Sequence, residues 1–129
     1  MPEIREDGQD VQFILDLVIS VSSEKKASFL QYYDVSEKIW VTDYIVLVGV
    51  SNKIHGGAIY DALSKKLKEE MISLESPSFF DSIRYSGSID SGWLILDLNS
   101  IVVHLCTQSI MDTYELDKLF EKSGVVYHC

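Results

Sequence analysis

The sequence predicts an α/β (α+β) domain. Its core is a mixed β-sheet of about five strands with flanking helices, closed by a C-terminal antiparallel hairpin and a short helix. Three features point there. Residues 44–50 (YIVLVGV) form a continuous β-branched apolar run, as expected of a central strand covered on both faces. A long helical stripe follows, Ile59, Leu63, Leu67 and Met71, before more strand-like sequence, which predicts one parallel crossover. Last, residues 93–98 (WLILDL) and 101–106 (IVVHLC) are separated only by Asn99-Ser100, and Asn tolerates the positive φ of a two-residue hairpin turn. At 129 residues the chain is one domain, 1–129, large enough for a real hydrophobic core.

The elements follow in order. In residues 10–22, Gln12, Asp16 and Ser20 recur every fourth position and the remaining side chains are mostly apolar. This is a helix with one narrow polar stripe, to be buried inside the domain or against a second subunit, so a homodimer stays open. Residues 22–26 are a polar connection, and 27–35, with Phe29, Tyr32 and Tyr33, favour a strand. After the 44–50 strand, residues 51–57 read as a turn rich in Ser, Asn and Gly. The helix from Ala58 keeps Lys65, Lys66, Lys68, Glu69 and Glu70 mostly on its wet side, and a loop holding Pro77 starts near Ser73. A short strand is expected at 82–85, ahead of the hairpin. Ser109 then looks like an N-cap with Asp112 three residues on. Tyr114, Leu116, Leu119 and Phe120 give that helix its apolar side, Gly124 is a natural stop, and the tail Tyr127-His128-Cys129 is expected to fray.

A turn at Asn99-Ser100 fixes the hairpin register. Asp97 then faces Val102, Leu96 faces Val103, Ile95 faces His104, Leu94 faces Leu105 and Trp93 faces Cys106. Alternation sorts the side chains cleanly. One face is all aliphatic: Leu94, Leu96, Leu98, Ile101, Val103 and Leu105. The other mixes Trp93, Ile95, Asp97, Val102, His104 and Cys106. This second face has three readings. It is a partly buried surface whose Asp97 and His104 find polar neighbours; or a protein-binding face, with a Trp anchor beside a negative charge; or a catalytic Asp/His pair, for which no nucleophile motif is present.

Charge narrows the partners. Eleven Lys and Arg stand against 20 Asp and Glu, a formal net charge of −9. That disfavours direct, sequence-specific nucleic-acid binding and favours a basic protein. Cys106 and Cys129 show no zinc spacing with His55, His104 or His128, so neither a metal nor a cofactor is expected. Residues 51–57 lie between a strand and a helix, as a phosphate loop would, but match neither GxGxxG nor GxxxxGK[ST]. The enzyme alternative, a nucleotidyltransferase-like small phosphotransfer protein, wants clustered carboxylates for divalent metal, and Asp97 stands without a paired acid. No apolar run approaches the roughly 18 residues that span a bilayer, and the acidic start MPEIRED is unlike a secretory or transit peptide. A cytoplasmic protein without membrane contact is the expectation.

Several segments, in this order and spacing, resemble the ribosomal silencing factor (Iojap) family. They are Thr42-Asp43-Tyr44-Ile45-Val46 through Gly49 and Ser51, Trp93-Leu94-Ile95-Leu96-Asp97-Leu98, Val102-Val103-His104, and Tyr114-Glu115-Leu116-Asp117-Lys118-Leu119-Phe120. The resemblance runs from about Asp10 to Phe120. It implies a mixed α/β fold and a translation repressor without enzymatic activity. Such a repressor binds the large ribosomal subunit at universal ribosomal protein fourteen, sterically blocks joining of the small subunit, especially when nutrients are scarce, and accompanies large-subunit assembly. Carried over by motif position, the implied partner contacts are Trp93, Leu94, Asp97, Leu98 and His104, with Tyr114 supporting the terminal helix; Thr42 and Asp43 are structural or rim residues. The chain has Asn99-Ser100 where the family usually has Gly-Asp, Met111 where it has Arg, and Phe120 where it has Trp.

Overall fold

In a computed structural model, residues 8–35, 43–73, 84–121 and 125–128 are described. Their order is α1 (Gly8–Glu24), β1 (Leu30–Asp34), β2 (Tyr44–Gly49), α2 (Lys53–Ser73), β3 (Arg84–Ser88), β4 (Trp93–Asp97), β5 (Ile101–Cys106), α3 (Gln108–Tyr114), α4 (Leu116–Glu121) and β6 (Val125–His128). The strands form one six-stranded sheet in the order β3-β4-β5-β2-β1-β6. β2 and β5 at its centre are parallel, and every other neighbouring pair is antiparallel. The mixed sheet and its single parallel crossover are as the sequence predicts.

Helices cover the sheet unequally. On one face, α1 and α2 close the main core. Val11, Ile14, Leu15, Val18 and Val21 of α1 meet Ile59, Leu63 and Leu67 of α2 over Val46, Val48 and the aliphatic face of the β4–β5 hairpin. The apolar side of α1 is therefore spent inside its own domain, and Phe13, 39% exposed, is left on the outside. Each such Leu, Ile or Val stabilises the fold by roughly 1.5–3 kcal/mol when fully buried. On the other face a smaller core forms where Met111 of α3 and Leu116 of α4 pack on Tyr33, Val35, Ile45, Leu47 and Cys106.

Local chemistry sets the boundaries. α1 ends at Lys26, which is left-handed at φ 61°; the Ala27 amide bonds the Ser22 carbonyl and the Lys26 amide bonds that of Ser23. This is a Schellman stop without glycine, a signal that composition hides. Residues 51–57 are mostly helix rather than turn, since α2 begins at Lys53 and the Asn52 side chain accepts the His55 amide at 2.9 Å. Asn52 is thus an N-cap, and the glycines that suggested a turn lie inside the helix. Gly56 lets the helix pass Ile89 closely. β3 is seen from Arg84 to Ser88; residues 82 and 83 of the strand expected at 82–85 lie outside the described residues. Pro77 lies outside the described residues.

Three corrections concern the C-terminal part. The N-cap of α3 is Thr107, not Ser109, with its hydroxyl accepting the Ile110 amide. The single helix expected here is split, because Glu115 turns left-handed (φ 48°) and returns its amide to Met111. The expected stop, Gly124, lies outside the described residues. The tail does not fray at Tyr127 and His128: residues 125–128 pair with β1 as a sixth strand, Tyr127 opposite Tyr32. β-branched Val125 and Val126 suited a strand, but four residues are too few for alternation to show. Among the described residues, no helix is long and apolar enough to cross a membrane.

Candidate functional site: the open half of the sheet

The β4–β5 register pairs Trp93 with Cys106, Leu94 with Leu105, Ile95 with His104, Leu96 with Val103 and Asp97 with Val102. It is the register the two-residue turn predicts, and Asn99 adopts the required positive φ of 76°. Asp97 helps to set it, because its Oδ1 accepts the Asn99 amide at 2.9 Å. The aliphatic face is buried as expected. The mixed face is divided. α3 and α4 shelter its β5 side, and among the described residues no helix covers β4 and β3, with Trp93, Ile95 and Asp97 half-buried and all of β3 exposed.

Directly opposed residues share a face, so Arg84 stands beside Asp97, Ser86 beside Ile95 and Ser88 beside Trp93. The result is a shallow shelf with Ile95 at its centre and two oppositely charged residues, Arg84 and Asp97, at one end. At the other end stands Trp93, whose ring lies 5.0 Å from that of Tyr114, a residue 55% exposed at the end of α3. Leu119 on α4 is similarly exposed. Because the Tyr85 side chain points to the opposite face, onto Tyr60, the shelf residues of β3 are small or charged.

His104 lies beneath Trp93. The indole Nε1–H donates to His104 Nδ1 at 3.0 Å. An indole nitrogen only donates, so Nδ1 is bare and the imidazole proton sits on Nε2. Burial lowers the His104 pKa from 6.5 to about 4, which keeps the ring neutral at ordinary pH. Phe120 covers its other side, ring centres 5.2 Å apart. Burial likewise pushes the Cys106 thiol up to about 12, so it is no nucleophile.

The sequence-derived contacts therefore separate. Trp93, Asp97 and Tyr114 come together on the open face. Leu94 (6% exposed) and Leu98 (2%) point into the main core, because alternation puts them opposite Trp93 and Asp97; neither offers its side chain to a partner. His104, 7% exposed, is correctly placed on the mixed face but is sealed under the indole and α4. Thr42 lies outside the described residues. Asp43 is structural, its amide bonding the Ser100 carbonyl and its carbonyl accepting from Val35, which ties the start of β2 to the hairpin turn. Ile95 and Arg84 join the surface. Arg84 was missed because β3 is too short to set its own register, and only its pairing with β4 places it.

The enzyme readings find little here. The acceptor nitrogen of His104 is occupied by Trp93, and Asp97 lies one same-face position further along the ribbon than Ile95, the residue that opposes His104. At residues 51–57 the imidazole is also committed: His55 Nδ1 accepts from the Ser51 amide and Nε2 meets the Lys25 carbonyl, both at 2.9 Å. It clamps two turns together. Among the described residues, no group of three His, Cys, Asp or Glu side chains is arranged to hold a metal.

Comparison with known proteins agrees with this architecture. A family model described as "Ribosomal silencing factor during starvation" matches residues 9–127. "Mitochondrial assembly of ribosomal large subunit protein 1" of Mus musculus is 27% identical over 114 residues, 88% of this chain. The chain spans about half of that relative, 48%. "Ribosomal silencing factor RsfS" of Haemophilus influenzae is 21% identical over 110 residues, covering 85% of this chain and 96% of its own. Two crystal structures share the fold. A protein from Chromobacterium violaceum has TM-score 0.68 at 19% identity, covering 86% of each chain. One from Bacillus halodurans has TM-score 0.67 at 23% identity, covering 84% of this chain and 93% of its own. With nearly the whole chain spanned by one family model, and with the sheet and hairpin that its motifs require, the protein belongs to the ribosomal silencing factor family.

Proposed function

We propose that this protein represses translation by binding the large ribosomal subunit at universal ribosomal protein fourteen and occupying the surface that the small subunit needs. The action is steric and needs no catalysis, cofactor or metal. It takes place in the cytoplasm and touches neither membrane nor specific nucleic-acid sequence. The observation that carries the reading is the uncovered shelf, where Trp93, Ile95, Asp97 and Tyr114 stand together outside the two cores. The names of the two relatives, one a silencing factor and one an assembly protein of the large subunit, support the same target.

The physics is undemanding. A standard interface buries around 1,600 Å² in total, and a few desolvated anchors supply most of its energy. Trp93 is the aromatic anchor. Asp97 contributes charge toward a basic partner, and Arg84 stands opposite it in the strand register. A net charge of −9 steers the encounter, since ribosomal proteins are mostly basic.

The test is co-sedimentation with separated subunits. The parent protein should pellet with large subunits, and joined particles should decrease. Trp93→Ala should cost about 2 kcal/mol or more, near thirtyfold in affinity. Pelleting with small subunits, or with neither, would defeat the proposal; equal pelleting of Trp93→Ala and parent would remove Trp93 as the anchor.

A further inference from the structure

We infer that His104 is a positioning residue for Trp93, holding the indole in one orientation on the open shelf without itself touching a partner. The inference rests on the proposed use of that shelf and adds how its anchor is prepared.

The support runs inward from the surface. Trp93 is half-buried and its only polar atom, Nε1–H, is taken by His104 Nδ1 at 3.0 Å. His104 is itself 7% exposed and has no room to swing, being covered by Phe120 at 5.2 Å. Phe120 in turn packs on Tyr33, ring centres 5.9 Å apart, and the Tyr33 hydroxyl donates to Gln31 Oε1 at 2.7 Å and lies 3.4 Å from the Asp117 carbonyl. A path of fixed groups therefore runs from β1 through α4 to the imidazole and out to the indole. Tyr114 borders the indole, ring centres 5.0 Å apart. A tryptophan already ordered loses little side-chain freedom on binding, and more of its buried area then appears as affinity.

The geometry also says what the partner offers. The indole donor is spent inside the protein, so the receiving site needs no hydrogen-bond acceptor for it. An apolar recess, or a Lys or Arg stem with its cation over the ring, satisfies the exposed part of the indole.

Two readouts test this, one of which needs no ribosome. In the parent protein, the Trp93 indole N–H resonance, identified by its loss in Trp93→Phe, should exchange slowly with solvent. His104→Leu keeps the volume and removes the acceptor. It should speed that exchange and weaken pelleting with large subunits by several-fold to about tenfold, the range one lost hydrogen bond converts to. His104→Asn puts an oxygen close to the position of Nδ1 and should restore both. In a Trp93→Phe background, His104→Leu should have no further effect on binding. A folded His104→Leu protein with parental binding would overturn the inference, provided Trp93→Ala binds weakly. Parental binding by Trp93→Ala would instead overturn the anchor. Should His104→Leu not fold, fast indole exchange in the parent, or failure of His104→Asn to retain binding, refutes the positioning role.

Discussion

Acidification should destabilise this domain through one imidazole. Above pH 6.5, His104 is neutral in both the folded and unfolded chain, so it contributes no pH dependence. Below 6.5 the unfolded chain takes up a proton, whereas the folded chain refuses one until about pH 4, because burial desolvates the ring and penalises its charged form. Stability is therefore full above pH 6.5 and falls as the pH drops toward 4. A gap of about two and a half pH units, at roughly 1.4 kcal/mol each, removes about 3 kcal/mol. For a chain of this size that lowers Tm by about 10 °C. The assay is thermal unfolding followed by circular dichroism at intervals from pH 7.5 to 4.5, on the parent and on His104→Asn, which has nothing to titrate there. Every other titrating group is common to both proteins and cancels in the difference. The parent should lose stability across this window more steeply than the variant. Equal slopes would show that His104 titrates normally and that the seal over it is not maintained in solution.

Two further perturbations read other parts of the structure. Gly87 sits at φ +80° in the edge strand, and a Cβ there would collide with the Trp93 carbonyl oxygen. Gly87→Ala should cost about 2 kcal/mol or more, seen in urea unfolding, and a change under about 0.5 kcal/mol would mean β3 does not hold this register. Asp97→Asn keeps the acceptor for the Asn99 amide while deleting the charge, so Tm should hardly move. The association rate with large subunits should fall and become less sensitive to salt; an unchanged rate at low salt would remove Asp97 from steering.

How far the sequence could be read depended on what each signal measures. Period-two alternation in residues 93–106 reports faces and register together, so the hairpin was legible down to individual pairs. The apolar run at 44–50 and the stripe of Ile59, Leu63 and Leu67 report burial, and both elements are present, although α2 begins ahead of Ala58. Caps were harder. Glycines at 56 and 57 suggested a turn, yet Asn52, three residues downstream of β2, was the stronger signal, and α2 starts just after it. Lys26 and Glu115 stop helices in left-handed conformations that their residue types do not advertise. β6 was invisible because its stability comes from pairing with β1, a non-local contact that no window of sequence contains.

The candidate site illustrates the same division. Sequence motifs placed Trp93, Leu94, Asp97, Leu98 and His104 on one short ribbon, and chain proximity made them look like one surface. The pleat separates them. Leu94 and Leu98 belong to the core that α1 and α2 close, whereas Trp93 and Asp97 belong to the face that α3 and α4 leave half open. His104 stands at the boundary, where α4 ends its cover and the shelf begins. A neutral, buried hydrogen-bond acceptor at that line does something an aliphatic residue would not: it fixes the direction of the last aromatic before solvent. The splitting of the terminal helix at Glu115 serves the same edge. It ends α3 with Tyr114 against the indole and restarts α4 so that Leu116 and Phe120 reach the sheet. A continuous helix through Glu115 would carry these two anchors along a single axis. The break lets one segment border the shelf and the other seal the imidazole, so Glu115 sets the shape of the surface through its backbone.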